Sequence, residues 1–498
     1  DSASPRINNI VIEGGGQDIP LTTNWRKGIG ISVGAFSSPI IDGAVINNLV
    51  TRGLNYWGNS GGIVSNLQIS NISGATTSIS AGIWIEDSLP LVSNSNVIRS
   101  DNGVYVRHIT EGWNTRPTFT NLVVEDSQYR GIMIEQYNHS QFSNLPMNAI
   151  FNNLVIRGTG GDNAKTPGLG IAALDVNTSG IKIEGGLIED NPVVGFRAYM
   201  IDSSMVVNNL TLLNNGGDGF SIPLNDRAGL FWRSSNWGIS GPPTINDLVV
   251  RNSSGPGVLM WKGGVRGTNW EITENGASGL DFREFHPDVN AILSMNNTGH
   301  GVSIRDSSNV ELEYVVTSGN GVGSLSANLG SGFYFDESND VVSGGKNVSC
   351  YICTSIDDNY GVTIEDSIDL QMHSLAIIDP INSPALSVDN SGLSQNGNII
   401  FNNLMVNSNS TDSNNYAIEL NDVDAEVSNL QINGNNSGFF WDAKGSLNSY
   451  FNDSTINAQN TNSCLDLVDH SELLANNISF QCNSPPSLDS SVVNMSNS

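Results

Sequence analysis

Three things are missing or scarce in this chain, and each bounds what it can be. No apolar run approaches the about eighteen residues of a helical membrane span, so the sequence predicts a soluble chain with no membrane span in this segment. Cations are scarce: 21 Lys and Arg stand against 49 Asp and Glu, a formal net charge of -28. Such a chain is repelled by a phosphate backbone or an anionic bilayer, which argues against nucleic acid and charged membrane as partners. The chain also begins at Asp1 with neither Met nor a charged-then-apolar leader, so a processed or excised fragment is expected. Its 498 residues are enough for several domains or one long solenoid.

What is present is a repeat. The phrase Gly-apolar-x-apolar recurs in "GVYVR", "GIMIE", "GVTIE" and "GFYFD". Its first residues form a ladder at Gly30, Gly53, Gly82, Gly103, Gly131, Gly170, Gly195, Gly219, Gly257, Gly279, Gly301, Gly332 and Gly361, with weaker rungs at Ala385, Ala417, Gly438 and Cys464. The spacings predict coils of about 22 residues, the longer ones carrying loops, which is the signature of a solenoid. Alternation within a rung, as in Ile83-Trp84-Ile85, predicts a short strand with one buried face. A second phrase, Asn followed by Leu and alternating apolars, recurs as "NNLVT", "SNLQIS", "TNLVVE" and "NNLVIR". Two or three strands per coil, all running the same way, predict an all-β parallel β-helix of about seventeen coils in a single domain, residues 1-498. Gly is expected at corners of positive φ, and stacked Asn side chains are expected to form ladders along the axis. Asp-Ser pairs such as Asp87-Ser88 and Asp306-Ser307 fit Asx turns, with metal binding as the alternative.

The segments "NNTGHGVSIRDSSNV" and "NSNVIRSDNGVYV" resemble the repeats of right-handed parallel β-helix proteins of the pectin-lyase-like superfamily, and are most similar to carbohydrate-binding and sugar-hydrolase repeats. The resemblance covers roughly residues 7 to 480. It implies architecture and, across the family, polysaccharide lyases, glycoside hydrolases, adhesins and surface-layer proteins. The chemistry must therefore come from the site.

The middle residue of each rung, and the one after its second apolar residue, are expected to face solvent. In the first eleven coils these positions hold aromatics, arginines and carboxylates: Asn55 and Trp57, Trp84 and Glu86, Tyr105 and Arg107, Met133 and Glu135, Arg197 and Tyr199, Leu259 and Trp261, Asp281 and Arg283, Ser303 and Arg305. His108, Tyr137, His139, Asp175, Lys262 and His286 lie just beyond. Residues 1-305 hold 19 basic and 25 acidic side chains, a net of -6, whereas 306-498 hold only Lys346 and Lys444 against 24 acids, a net of -22. The first stretch is expected to be the interacting part, and the second an acidic, solvated part ending in a C-terminal cap.

Flat aromatic faces suit pyranose rings, and Arg with carboxylates suits hydroxyl or acidic groups. Carbohydrate contact is accordingly expected at Trp57, Trp84, Tyr105, Arg107, Arg197, Tyr199, Trp261 and Arg283. The alternative is that these side chains merely cover inserted loops. A lyase needs a base and a cationic neutraliser, for which Arg107, His108, Tyr137, His139, Arg197, Tyr199 and Lys262 are the available types. A hydrolase needs two carboxyls; Glu86 and Glu135, two rungs apart, would stand roughly 9 to 10 Å from each other, near the upper limit for inversion. The favoured expectation is a structural or adhesive protein, extracellular or at a cell surface. Its partners would be a polysaccharide or surface glycan, or other copies and surface proteins, with lyase or hydrolase activity as the competing reading.

No cofactor is required by the motifs, although Asp336, Glu365 and Asp389 on successive rungs could recruit Ca²⁺. Twelve N-x-S/T sequons, among them Asn71, Asn209 and Asn477, are about what so Asn-rich a chain yields by chance. Of the four cysteines, Cys350 and Cys353 form "CYIC" while Cys464 and Cys482 lie about one coil apart. Disulfides, and with them an oxidising compartment, are the favoured reading, with half a zinc site or free core thiols as alternatives.

Overall fold

The computed structural model describes residues 3-15, 28-74, 80-110, 113-136, 147-160, 172-178, 180-199, 203-216, 227-233, 241-307, 309-322, 330-336, 348-366, 370-382, 384-389, 399-408, 416-423, 425-434, 439-442, 449-458, 465-468, 473-482, 487-489 and 493-496. They fall in two compact units, Asp1–Val258 and Leu259–Ser498, so the change of composition at residue 305 lies inside the second unit. The fold is a right-handed parallel β-helix, with no α-helix among the described residues.

One coil of the first unit shows how the sequence builds it. The rung Ala81–Glu86 is followed by the strand Leu91–Ser100, which bends at Asn94 (φ 47°) and again at Arg99 (φ 52°), so the coil has three faces. The rung pairs in parallel with Arg52–Tyr56 below and Asn102–His108 above. Leu91–Ser93 pairs with Ile63–Ser65, and Asn96–Ser100 with Gln68–Ile72. Alternation points Ile83, Ile85, Val92 and Val97 inward, and all four are buried.

The Asn-Leu phrase marks one corner. Asn9, Gly43, Asn66, Asn94, Asn121, Asn153, Gly185, Asn209 and Asp247 all have φ between 47° and 76°, a left-handed conformation that Asn, Asp and Gly tolerate best. The corner amides also stack: Asn121 Nδ2 donates to Asn94 Oδ1 at 2.9 Å, and Asn153 Nδ2 to Asn121 Oδ1 at 3.1 Å. Asn71, a sequon residue, likewise donates to Asn48 at a neighbouring corner, so its sequence has a structural cause.

In the second unit Ala291, Tyr314, Ile352 and Ser374 hold a left-handed corner without an Asx amide to stack. The Cys350–Cys353 disulfide closes across one of these corners, at Ile352. The half-zinc and free-thiol alternatives for this pair are thereby set aside. Cys464 and the side chain of Cys482 lie outside the described residues.

The ladder needs three corrections. Gly170 and Gly219 themselves lie outside the described residues, and the pairing sets the rungs on other residues. Leu174 and Val176 pair with Ile132 and Ile134, so that rung begins at Ala173. Leu230 pairs with Phe196, so the later rung begins at Gly229. Nor do the glycines serve a positive φ, because the ladder glycines among the described residues have ordinary backbone angles. They are demanded by space: a Cβ on Gly103 would lie 2.2 Å from Val124 Cγ1 and 2.5 Å from the Gly131 carbonyl oxygen.

A buried polar ladder runs through the second unit. Asn275 Nδ2 donates to Asn297 Oδ1 at 2.8 Å, Asn297 to Asn320 at 2.9 Å, and Asn320 to Asp358 Oδ1 at 2.9 Å. A carboxylate thus stands where the ladder would otherwise place an amide. Burial pushes the Asp358 carboxyl up from its ordinary range, against hydrogen bonds from Thr317, Ser355 and Asn320 that favour the charged form. A raised folded-state pKa means that stability is lost as pH climbs from the unfolded carboxylate range through the folded value. Asp358→Asn keeps the acceptor for Asn320 and removes the buried charge, so it should raise stability at pH 7 by about 1 kcal/mol. It should also flatten the wild-type decline above about pH 4. Denaturant titrations of both proteins from acid to neutral pH check both statements.

Candidate functional site

Register brings the predicted side chains of the first unit into two columns. The middle residues Asn55, Trp84, Tyr105, Met133, Asp175, Arg197 and Phe231 lie on successive strands. Beside them run Glu86, Arg107, Glu135, Asn177, Tyr199 and Arg233.

The middle column is not open to solvent as the alternation predicts. Trp84 is 1% exposed, Tyr105 6% and Arg197 7%. The reason is mutual packing. Trp84 and Tyr105 stack at 4.3 Å with planes 3° apart, and Met133 packs against this cluster. The Arg52 guanidinium lies 3.7 Å from the centre of the Trp84 ring, and that of Arg107 lies 4.6 Å from it. Burial, offset in part by Glu86, pulls the Arg52 pKa down to about 10. Further along, Arg197 and Arg130 both bind Asp175, at 2.6 and 2.8 Å. Trp84 and Arg197 are therefore the floor of this face, with their stacking and charge already used.

The second column is partly exposed. Arg107 and Glu86 each keep about a quarter of their side-chain surface, and Arg107 donates to Glu86 Oε2 through Nε at 2.9 Å and through a terminal nitrogen at 2.6 Å. Trp84 Nε1 donates to the same oxygen at 3.3 Å. On the other side of Arg107, Glu135 accepts the Tyr105 hydroxyl. Burial, and then Glu135, push the Tyr105 phenol above its ordinary range, so it is held as a hydrogen-bond donor. Trp57 is 40% exposed, Tyr199 is part-buried and Arg233 is exposed. The Arg197 guanidinium lies 5.4 Å from the Tyr199 ring centre.

His108 turns inward and is 3% exposed. Its Nδ1 lies 3.0 Å from Asp87 Oδ1 and 2.9 Å from Thr115 Oγ1. Burial raises the Asp87 carboxyl, but hydrogen bonds from His108, Thr110 and Ile109 outweigh it and hold the group below its ordinary range. At φ 47° Asp87 forms a corner that caps the next coil, a turn role for its Asp-Ser pair. Tyr137 and His139 lie outside the described residues.

In the second unit, Trp261 donates to Glu284 at 3.0 Å and Lys262 pairs with Glu284 at 3.1 Å. Asp281 binds Arg283 at 2.5 Å and Arg305 at 3.7 Å. Asp336, Glu365 and Asp389 do stand on successive rungs in register, and the Tyr334 hydroxyl donates to Glu365 at 2.7 Å. Among the described residues, however, no three His, Cys, Asp or Glu side chains converge as a metal site.

Arg52, Arg130 and Arg233 join the first-unit site without having been singled out from the sequence. Arg52 and Arg130 each precede a ladder glycine, where strict alternation gives them the inward parity of Leu54 and Ile132, so the pattern that picks out the middle residues does not reach them.

No family model and no curated protein matches the chain. Two solved structures are similar at low scores. One is the A-module of an Azotobacter vinelandii mannuronan C-5 epimerase, at 13% identity over 83% of this chain and 91% of that one, with a TM-score of 0.31. The other is the catalytic unit of a thermostable GH87 α-1,3-glucanase from Streptomyces thermodiastaticus, at 12% identity over 83% of this chain and 63% of that one, with a TM-score of 0.21.

Proposed function

We propose that the chain is a structural β-helix, exported to an oxidising compartment or a cell surface, that holds a polysaccharide along the partly exposed column of its first unit. The observation that carries this reading is the in-register run Glu86, Arg107, Glu135 on adjacent coils, set over a packed floor of Trp84 and Tyr105. Carboxylates and guanidinium at a spacing of about 4.8 Å present acceptors and donors at intervals comparable to the hydroxyls of a sugar chain. Exposed Trp57 offers a ring face at one end. The Cys350–Cys353 disulfide supports the oxidising compartment.

The same geometry favours holding over cleaving. Glu86 and Glu135 flank Arg107, which binds Glu86 and fills the interval that a glycosidic oxygen and water would need in a two-carboxyl hydrolase. His108, a candidate lyase base, is 3% exposed and turned inward against Asp87 and Thr115, and so is poorly placed to meet a polysaccharide in this column. Acidic and neutral polysaccharides should therefore bind the full chain without new reducing ends or unsaturated products. Turnover of any of them would replace this reading with the enzymatic one.

A further inference from the structure

One edge of the second unit departs from the rule that builds the other corners. Register places Ala291, Tyr314, Ile352, Ser374 and Asn403 at the same corner of successive coils, all with φ between 54° and 60°. At Asn403 the amide ladder resumes, and Asn429 donates to it at 3.1 Å. Asn at Tyr314 and Ile352 would hold the left-handed turn with less strain and extend that ladder; a bulky ring, and still more a β-branched side chain, is an outlier there. Yet nearly half of each side chain stays in solvent: Tyr314 is 49% exposed, Ile352 45% and the adjoining Tyr351 43%. The three stand together, since Glu313 pairs with Tyr351 and Val315 with Cys353. Their base is fixed. Cys350 and Cys353 are buried and joined by the disulfide, and Tyr351 stacks on His373 at 4.8 Å with planes 7° apart. Strain kept on exposed apolar side chains over a fixed base marks a contact surface rather than a core.

We propose that this corner docks a protein segment in which arginine or lysine alternates with aliphatic side chains. Charge complementarity selects that partner. Exposed Glu311 and half-buried Glu313, the register neighbour of Tyr351, flank the rings, and residues 306-498 hold 24 acids against two lysines. A cation of the partner meets a carboxylate on one side and a phenol face on the other, while its aliphatic side chains cover Ile352 and Tyr314. A second copy of this chain would bring its own acids to the same edge, and a neutral sugar gains nothing from Ile352. The corner shares no residue with the polysaccharide column of the first unit.

The probe is a synthetic peptide alternating arginine with leucine, titrated against the full chain, with arginine-glycine and glutamate-leucine peptides of the same length as controls. The arginine-leucine peptide should bind at least about tenfold more tightly than either control. Tyr314→Asn combined with Ile352→Gly installs residue types that other corners use and leaves every charge in place. It should remove the tenfold advantage while the thermal midpoint holds or rises. Equal binding by either control peptide, or an advantage that survives in the double variant, overturns the proposal. A midpoint that falls by several degrees overturns it too, because the side chains would then serve the packing of the corner. Sedimentation of the chain without peptide tests the remaining occupant: a dimer that the double variant dissolves would assign the corner to a second copy instead.

Discussion

Trp84→Ala should destabilise the first unit by about 3–5 kcal/mol, the range for emptying a buried aromatic site. The indole is 1% exposed, stacked on Tyr105 and covered by Arg52, and its Nε1 donates to Glu86. Removing it opens a cavity and takes the ring from beneath a buried guanidinium. Trp84→Phe should recover part of the loss, since a ring still fills the stack. Urea unfolding of the full chain measures both. A loss below about 1 kcal/mol for Trp84→Ala would show that the column is not a packed floor.

Gly103→Ala should cost about 3 kcal/mol or more, at the upper end for overpacking. The added methyl meets Val124 Cγ1 at 2.2 Å, which a rotamer change could relieve. It also meets the Gly131 carbonyl oxygen at 2.5 Å, which belongs to the strand ladder and can move only by parting two coils. Gly14→Ala is the contrast: no atom lies within 4 Å of its Cβ and only the strain of φ 69° remains, so about 1 kcal/mol is expected. Equal costs at the two positions would place the glycine requirement in backbone angle rather than in coil spacing.

Periodicity made the parallel coils legible because two apolar residues flanking one variable residue can bury only one face of a strand. The Asn corners were legible for a similar reason, since few residue types hold a left-handed turn. Alternation says which way a side chain leaves the strand, but not whether its neighbours will cover it. Trp84 and Arg197 point outward as expected, yet Arg52, Arg107, Tyr105 and Asp175 close over or against them. The rung at Ala173 escaped the glycine pattern because stacking, not the phrase, selects the register; Leu174 and Val176 meet Ile132 and Ile134. Asp358 stands in the sequence as half of an Asp-Asp pair, but its place in an asparagine ladder depends on contacts with Asn320 that spacing alone does not reveal.

The division between floor and contact surface is tested most directly by titrating Arg107→Ala with whichever polysaccharide binds the wild type, and measuring its thermal midpoint in the same buffer. Arg107 and Glu86 are each about a quarter exposed, so losing the pair should cost about 1 kcal/mol of stability or less. Losing a charged donor to the sugar should weaken binding about tenfold. Weakened binding with a nearly unchanged midpoint is the result expected here. Unchanged affinity in Arg107→Ala would contradict the assignment of this column as the polysaccharide contact.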